Sequence, residues 1–351
     1  MYAVVTFGRV AYRHYDPTYF VVVGNLFYDQ SRAPQHLIAR SRTGYDGQFY
    51  YRLALHPLSN QRTAYGIHID NPSYRAQRIL YPVLVHLLAL GRVKSIPWSM
   101  ILVNYLAICG LALSSALLAR RFEVSILYGL AIPLLPPVIL GFARDLPDPL
   151  AISLMVFALL LLHTGRIKSA ACVLTLAVLT RETTVVLAGA LFIHAMCRSR
   201  RKQSAWSDAV TMLIPIATYA LLQWWMFHRW GEFPFLTGRW NLSGYPLWSM
   251  AKFVARRVRR LDTSSIIRFL YRLFTLGEFL FFGEIALLAS LSFRASAGDS
   301  GIKLGWIFYL VLATFFSSYI WVEDWAYMRG CEELLVLSLV HPVLRARART
   351  A

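Results

Sequence analysis

Long apolar runs alternate along this chain with short basic clusters. Runs close to the roughly 20 residues that cross a bilayer lie at 96–119, 125–143, 149–164, 209–227, 273–293 and 304–322, and shorter ones at 169–180, 183–197 and 331–344. The pattern predicts an all-α polytopic transmembrane bundle of about nine spans. The stretch 79–92 has the length of an interfacial or re-entrant helix and is expected to lie against the outer membrane surface. Residues 1–10 suffice only for the end of a helix, and 17–27 is interrupted by Asn25. A first transmembrane helix is therefore expected to be shortened or missing. The whole of 1–351 is expected to be one membrane domain. Within it, 11–95 forms a first extracytoplasmic loop with interfacial helices, and 96–344 forms the bundle, with a further outer loop at 228–272.

Composition agrees with that pattern: 57% of the residues are hydrophobic and only 15% charged, too apolar a balance for an ordinary soluble domain. The net charge of +18 comes from Lys and Arg in short interhelical loops, not from one stripe on a soluble module, so it does not point to nucleic acid. The clusters at Arg120-Arg121, Arg166 with Lys168, Arg198 to Lys202, Arg294 with Lys303, and the C-terminal tail share one side if each run crosses once. The positive-inside rule makes that side cytoplasmic, and a multi-pass protein in contact with membrane lipids is expected, its place the bacterial cytoplasmic membrane. The basic run 256–260 then falls outside and is expected to be an amphipathic surface helix. Cys109, Cys172, Cys197 and Cys331 lack a CxxC partner, and no histidines show metal spacing. P-loop and G-x-G-x-x-G motifs are missing, as is a soluble domain to hold a nucleotide sugar.

The densest chemistry lies in Gly44-Tyr45-Asp46-Gly47-Gln48-Phe49-Tyr50-Tyr51, where one carboxylate sits among aromatics and glycines. Asp46 is a candidate general base, although Asp-Gly is also a favoured turn dipeptide. Tyr45, Gln48 and Tyr50 are candidate substrate contacts beside it. Arg75 and Arg78, three apart, share a helix face and could equally snorkel to lipid headgroups. Asp145 and Asp148 flank Pro147 before an apolar run, where one could cap the helix. Arg181-Glu182 interrupts two apolar runs, and could be a local salt bridge or part of a site. Arg329 completes the set of cations.

The order of these features resembles the GT-C glycosyltransferases, multi-spanning enzymes that take a sugar from a polyprenyl-phosphate carrier. The nearest resemblance is to the branch of protein O-mannosyltransferases and the lipid A aminoarabinose transferase. In that family an acidic catalytic residue opens the first outer loop, as Asp46 does in Tyr-Asp-Gly-Gln-Phe-Tyr-Tyr. A basic residue precedes a Pro-aromatic stretch, matched by Tyr74 to Pro82. A helix ends in Leu-Leu-Ala-Arg-Arg, as at Leu117 to Arg121, and an acidic outer turn follows, as at Gly141 to Leu150. A Leu-Thr-Lys/Arg turn is matched by Leu179-Thr180-Arg181. The likeness covers about residues 40–200. It departs from the family in having Gly47 where a second acid often stands, Arg in place of Lys in the Leu-Thr-Lys turn, and no C-terminal soluble domain.

The resemblance implies transfer of a sugar from a polyprenyl-phosphate-linked donor to a glycan, lipid or protein acceptor at the outer face. In that chemistry an ionised Asp takes the proton of the attacking hydroxyl, and guanidinium groups hold the departing phosphate. Arg75, Arg78, Arg181 and Arg329 are the candidates for that clamp. The leaving group needs no metal or other cofactor, although divalent ions serve some members of the wider fold. Two other classes compete: a transporter or flippase of lipid-linked glycans, and a scaffold for an envelope polysaccharide complex. Transporters place polar groups near the midplane and show related halves, whereas the polar candidates here collect at one face.

Overall fold

The structure is a computed structural model and describes residues 1–12, 14–39, 41–201, 205–259, 300–322 and 326–345, with a few isolated positions between 260 and 299. It is mostly helical, as the apolar runs predict. The one sheet among the described residues is the hairpin β1 (Thr63–Ala64) and β2 (Ile67–His68), in which Thr63 pairs with His68. The expected run at 273–293 falls almost wholly outside the described residues.

The chain divides into two compact units. The first comprises residues 1–114, 133–185 and 214–237; the second comprises 115–132, 186–213 and 238–351. The first unit opens with α1 (Tyr2–Tyr12). The loop that follows leads into α2 (Gly47–Leu55), all of whose residues are buried. Next come the hairpin, α3 (Pro72–Ala76) and α4 (Leu80–Leu88). Nine residues rise roughly 14 Å, less than half of the apolar slab, so α4 is too short to span, as its sequence length suggests. It packs on α2, where His86 Nδ1 lies 2.9 Å from the Ala54 carbonyl. A core of Val21, Tyr50, Tyr51, Ile67, Tyr81, Met100 and Leu146 ties these pieces together.

Two helices are long and apolar enough to cross a membrane, Val93–Arg121 and Trp206–Trp230. The first contains α5 (Ile96–Arg121). Both present large apolar side chains outward: Leu102, Leu106 and Leu113 on the first, Val210, Leu221 and Trp224 on the second. Such faces suit lipid better than water.

The run 125–143 does not form the single helix expected of it. It breaks into Ile126–Gly129 and α6 (Pro136–Ala143). Pro133, Pro136 and Pro137 lack amide donors and push the preceding residue out of the helical region, and Leu135 is extended at ψ 134°. The 304–322 run breaks as well, into Ser300–Thr314 and Ser318–Val322. After α6 come α7 (Asp148–His163) and α8 (Ile167–Thr180), packed as a helical hairpin, and then α9 (Val185–Arg200) and α10 (Trp206–Trp230). In the second unit α11 (Trp248–Arg259) is the helix expected of the basic segment around 256–260. There Lys252 Nζ stands 4.6 Å over the Trp248 ring.

Candidate functional site

Asp46 occupies the N-cap position of α2, yet its side chain makes no cap hydrogen bond. Gly47 is not in the left-handed region, so the Asp-Gly pair is not a glycine-dependent turn. Glycine is required there for another reason. A Cβ at Gly47 would come within 2.3 Å of the Arg144 carbonyl oxygen and 2.9 Å of that of Val21. The backbone before α7 thus lies directly against the start of α2. Gly44, at φ +70°, supplies the reversal that turns the chain into the helix.

The Asp46 carboxylate meets Arg75, whose Nη1 lies 3.0 Å from Asp46 Oδ1. The same guanidinium is held from its other edge by Asp70, with Nε to Oδ1 at 3.0 Å and Nη2 to Oδ2 at 2.8 Å. Arg75 also stands 4.8 Å over the Phe49 ring. Burial alone would lower its pKa, but Asp46 and Asp70 outweigh burial and leave it raised. Arg75 is a fixed cation between two acids.

One turn further on, Arg78 forks onto Glu182, with Nε to Oε2 at 2.8 Å and Nη2 to Oε1 at 2.6 Å. It also donates to Tyr50 Oη at 2.9 Å and to Tyr74 Oη at 3.2 Å. Glu182 is largely withdrawn from solvent, which by itself raises its pKa, but Arg78 more than reverses this and the carboxyl lies below its usual range. The neighbouring Arg181 points elsewhere, its Nη1 3.0 Å from Asp148 Oδ1. Arg181 and Glu182 each join the turn between α8 and α9 to a different element.

Tyr50 marks where these groups converge. Burial raises the pKa of its hydroxyl, Arg78 and Arg75 lower it, and Asp46 and Asp148 raise it. The charges of Arg78, Arg75, Asp46 and Asp148 thus all bear on one buried phenol. Asp46 and Asp70 on Arg75, Glu182 on Arg78 and Asp148 on Arg181 form a chain of ion pairs around it.

The remaining candidates are placed differently. Neither arginine of α3 and its exit snorkels to solvent, since Arg75 and Arg78 are only 6% and 5% exposed. Gln48 braces the loop: its Oε1 accepts from the Gly24 amide at 3.1 Å and its Nε2 donates to the Thr43 carbonyl at 3.1 Å. Tyr45 lies under Arg144, 5.1 Å from ring centroid to guanidinium. Asp145 is fully buried at φ +50°, and neither carboxyl oxygen has a hydrogen-bond partner among the described residues. Burial raises its pKa against the opposing pull of Arg9, and it stands outside the ion-pair chain. Arg329 is carried by the short helix Ala326–Gly330 of the second unit. No group of three or more metal-ligand side chains occurs among the described residues.

Neither a family model nor a curated protein nor a solved structure matches this chain.

Two participants escape a reading of the sequence: Asp70, the second acid on Arg75, and Tyr74, which receives Arg78. Asp70-Asn71-Pro72 looks like a helix start, and Asn71 does cap α3, accepting from the Tyr74 amide at 3.4 Å. The five-residue spacing from Asp70 to Arg75 was the available signal. It acquires meaning only when the chain folds back at Asn71.

Proposed function

We propose that this chain is a polyprenyl-phosphate-sugar-dependent glycosyltransferase of the GT-C type, a polytopic bundle of about nine spans in the bacterial cytoplasmic membrane. The donor is a polyprenyl-phosphate-linked sugar and the acceptor a glycan, lipid or protein hydroxyl at the outer face. The observation that supports this most is the placement of Asp46. It begins a helix without capping it, keeps about a quarter of its side chain exposed, and is held at one oxygen by Arg75.

A partly exposed carboxylate oriented by a fixed cation is suited to take a proton from an attacking hydroxyl. Arg75 orients Asp46 and limits its basicity, and Asp70 shares that cation and so relieves part of the limit. The arginines bear on the leaving group less directly than the sequence suggests. Arg75, Arg78 and Arg181 are each paired with a carboxylate, so binding of a lipid phosphate requires it to compete for a guanidinium or to sit on a free edge of one. Arg78 is the best placed of these, because two tyrosine hydroxyls share its hydrogen bonds and can rotate with it. The phosphate leaving group does not of itself require a metal.

The test is glycosyl transfer from a polyprenyl-phosphate sugar in vesicles, with wild type and Asp46→Asn present in equal amounts. Asn keeps the shape and removes the proton acceptor, so turnover is expected to fall about 100- to 10,000-fold with carrier-lipid binding kept. Turnover near wild type would remove Asp46 from catalysis and leave the flippase reading in front.

A further inference from the structure

Arg52 lies on α2 two turns beyond Asp46, roughly 9 Å along the axis, and its setting is the opposite of that of Arg75. It is fully buried, and among the described residues no carboxylate pairs with it. Its Nη2 donates to Ser59 Oγ and to the Gln61 carbonyl, both at 3.2 Å, and Tyr65 presents its ring 5.5 Å from the guanidinium. Its Nε and Nη1 have no hydrogen-bond partner among the described residues. A buried cation without a counter-charge costs several kcal/mol, so a partner from outside the chain is worth looking for.

Beside it is a depression of about 470 Å³ lined by His56, Ser59, Asn60, Gln61 and Tyr65, among others. No acid lines it. All three groups that hold Arg52, namely Ser59, Gln61 and Tyr65, are also walls of this depression. Ser59 Oγ already accepts from Arg52 and from the Gln61 amide, the latter at 3.2 Å. A serine oxygen has two lone pairs and one proton, so with both pairs engaged its O–H is left to donate. The side chains of His56, Asn60 and Gln61 add further donors around the same space.

We infer that this depression binds a phosphate-class oxyanion, with the Arg52 charge behind the wall as its counter-ion and Ser59 O–H as a donor to it. Several donors and a nearby cation around one volume suit the three or four acceptor oxygens of a phosphate better than the two of a carboxylate. The phosphate could be free or part of a lipid headgroup. The inference does not depend on glycosyl transfer and stands or falls separately from it.

The experiment follows the thermal midpoint of the full chain in detergent against added inorganic phosphate, with sodium acetate and sodium chloride at matched ionic strength. It is repeated in vesicles of phosphatidylcholine with and without phosphatidic acid. A saturable rise of about 3 °C with phosphate alone identifies a free phosphate group as the ligand. A rise only with phosphatidic acid identifies a headgroup. An equal rise with acetate, or none in any arm, overturns the inference.

Ser59→Asp places a carboxylate next to Arg52 and should abolish the response while raising the midpoint without added anion. A full phosphate response in that variant also overturns the inference. Should Ser59→Asp not fold, Arg52→Met is read in the same way: a lost response supports the site and a retained one refutes it.

Discussion

Arg75 on α3 and Arg52 on α2 are two buried guanidiniums, and they are treated in opposite ways. Arg75 has two carboxylates, Asp46 and Asp70, and an aromatic face; Arg52 has a hydroxyl, a carbonyl and an aromatic face, with no acid. Burial pushes the pKa of both downward. Only Arg75 ends up raised, because its acids supply the opposing field, while Arg52 stays lowered. The comparison teaches that burial of a charge says little about its role until its counter-charges are located. A cation saturated by internal acids positions those acids, whereas one left without them favours an anion from outside.

The sharpest way to break the comparison is at the neighbouring pair. Glu182→Gln leaves Arg78 buried without its carboxylate, and removing one partner of a buried pair costs about 3–5 kcal/mol. The expected result is a large loss of folded protein in detergent, measured by thermal or denaturant melting. A variant that melts like wild type would mean that the pair carries no weight.

Next in size is the same substitution at both arginines. Arg75→Met strands Asp46 and Asp70 and should cost about 3 kcal/mol, toward the low end because both acids keep some contact with solvent. Arg52→Met strands nothing charged. Without added anion, its midpoint should lie within about 1 kcal/mol of wild type or above it. Equal losses at the two positions would dissolve the contrast.

A smaller effect is expected at Asp145 and carries a pH sign. Its folded-state pKa is raised, so the folded form holds a proton that the unfolded form releases above about pH 4. Wild type therefore loses stability as pH rises from about 4 toward the folded pKa. Asp145→Asn removes that penalty, so its midpoint should exceed wild type by about 2–4 °C at neutral pH and match it near pH 4. Glu182 runs the other way. Its lowered pKa gives stability that is present at neutral pH and is lost as pH falls through the folded pKa. Melting profiles of the two proteins between pH 4 and 8 would show whether the gap opens upward as stated.

Much of the helical plan was legible. The apolar runs at 96–119, 149–164, 169–180 and 209–227 coincide with α5, α7, α8 and α10 to within a few residues, because a continuous apolar run of that length has few other ways to satisfy its backbone. The run at 125–143 misled, since hydropathy is blind to the missing amides of Pro133, Pro136 and Pro137. At the site, Asp46, Arg75, Arg78, Asp148, Arg181 and Glu182 were legible as charges in apolar surroundings, where an ionised side chain is costly and so conspicuous. Who pairs with whom was not legible. Arg181 and Glu182 are adjacent in sequence yet turn to Asp148 and Arg78, and Glu182 and Arg78 are 104 residues apart.

The sequence by itself determined that the chain is helical, that its apolar faces are too extensive for an ordinary soluble domain, and that its ionisable groups gather in a few short turns. These follow from local hydropathy and composition, which need no knowledge of neighbours in space. The tertiary structure alone decided that Asp46 is an ion-paired acid and not a cap, that Gln48 braces a loop, that Asp145 is fully buried, and that Arg52 lacks, among the described residues, the counter-charge Arg75 has twice over. Each of those depends on which distant carboxylate, carbonyl or backbone comes within about 3 Å, and the chain's fold, not its order, sets those distances.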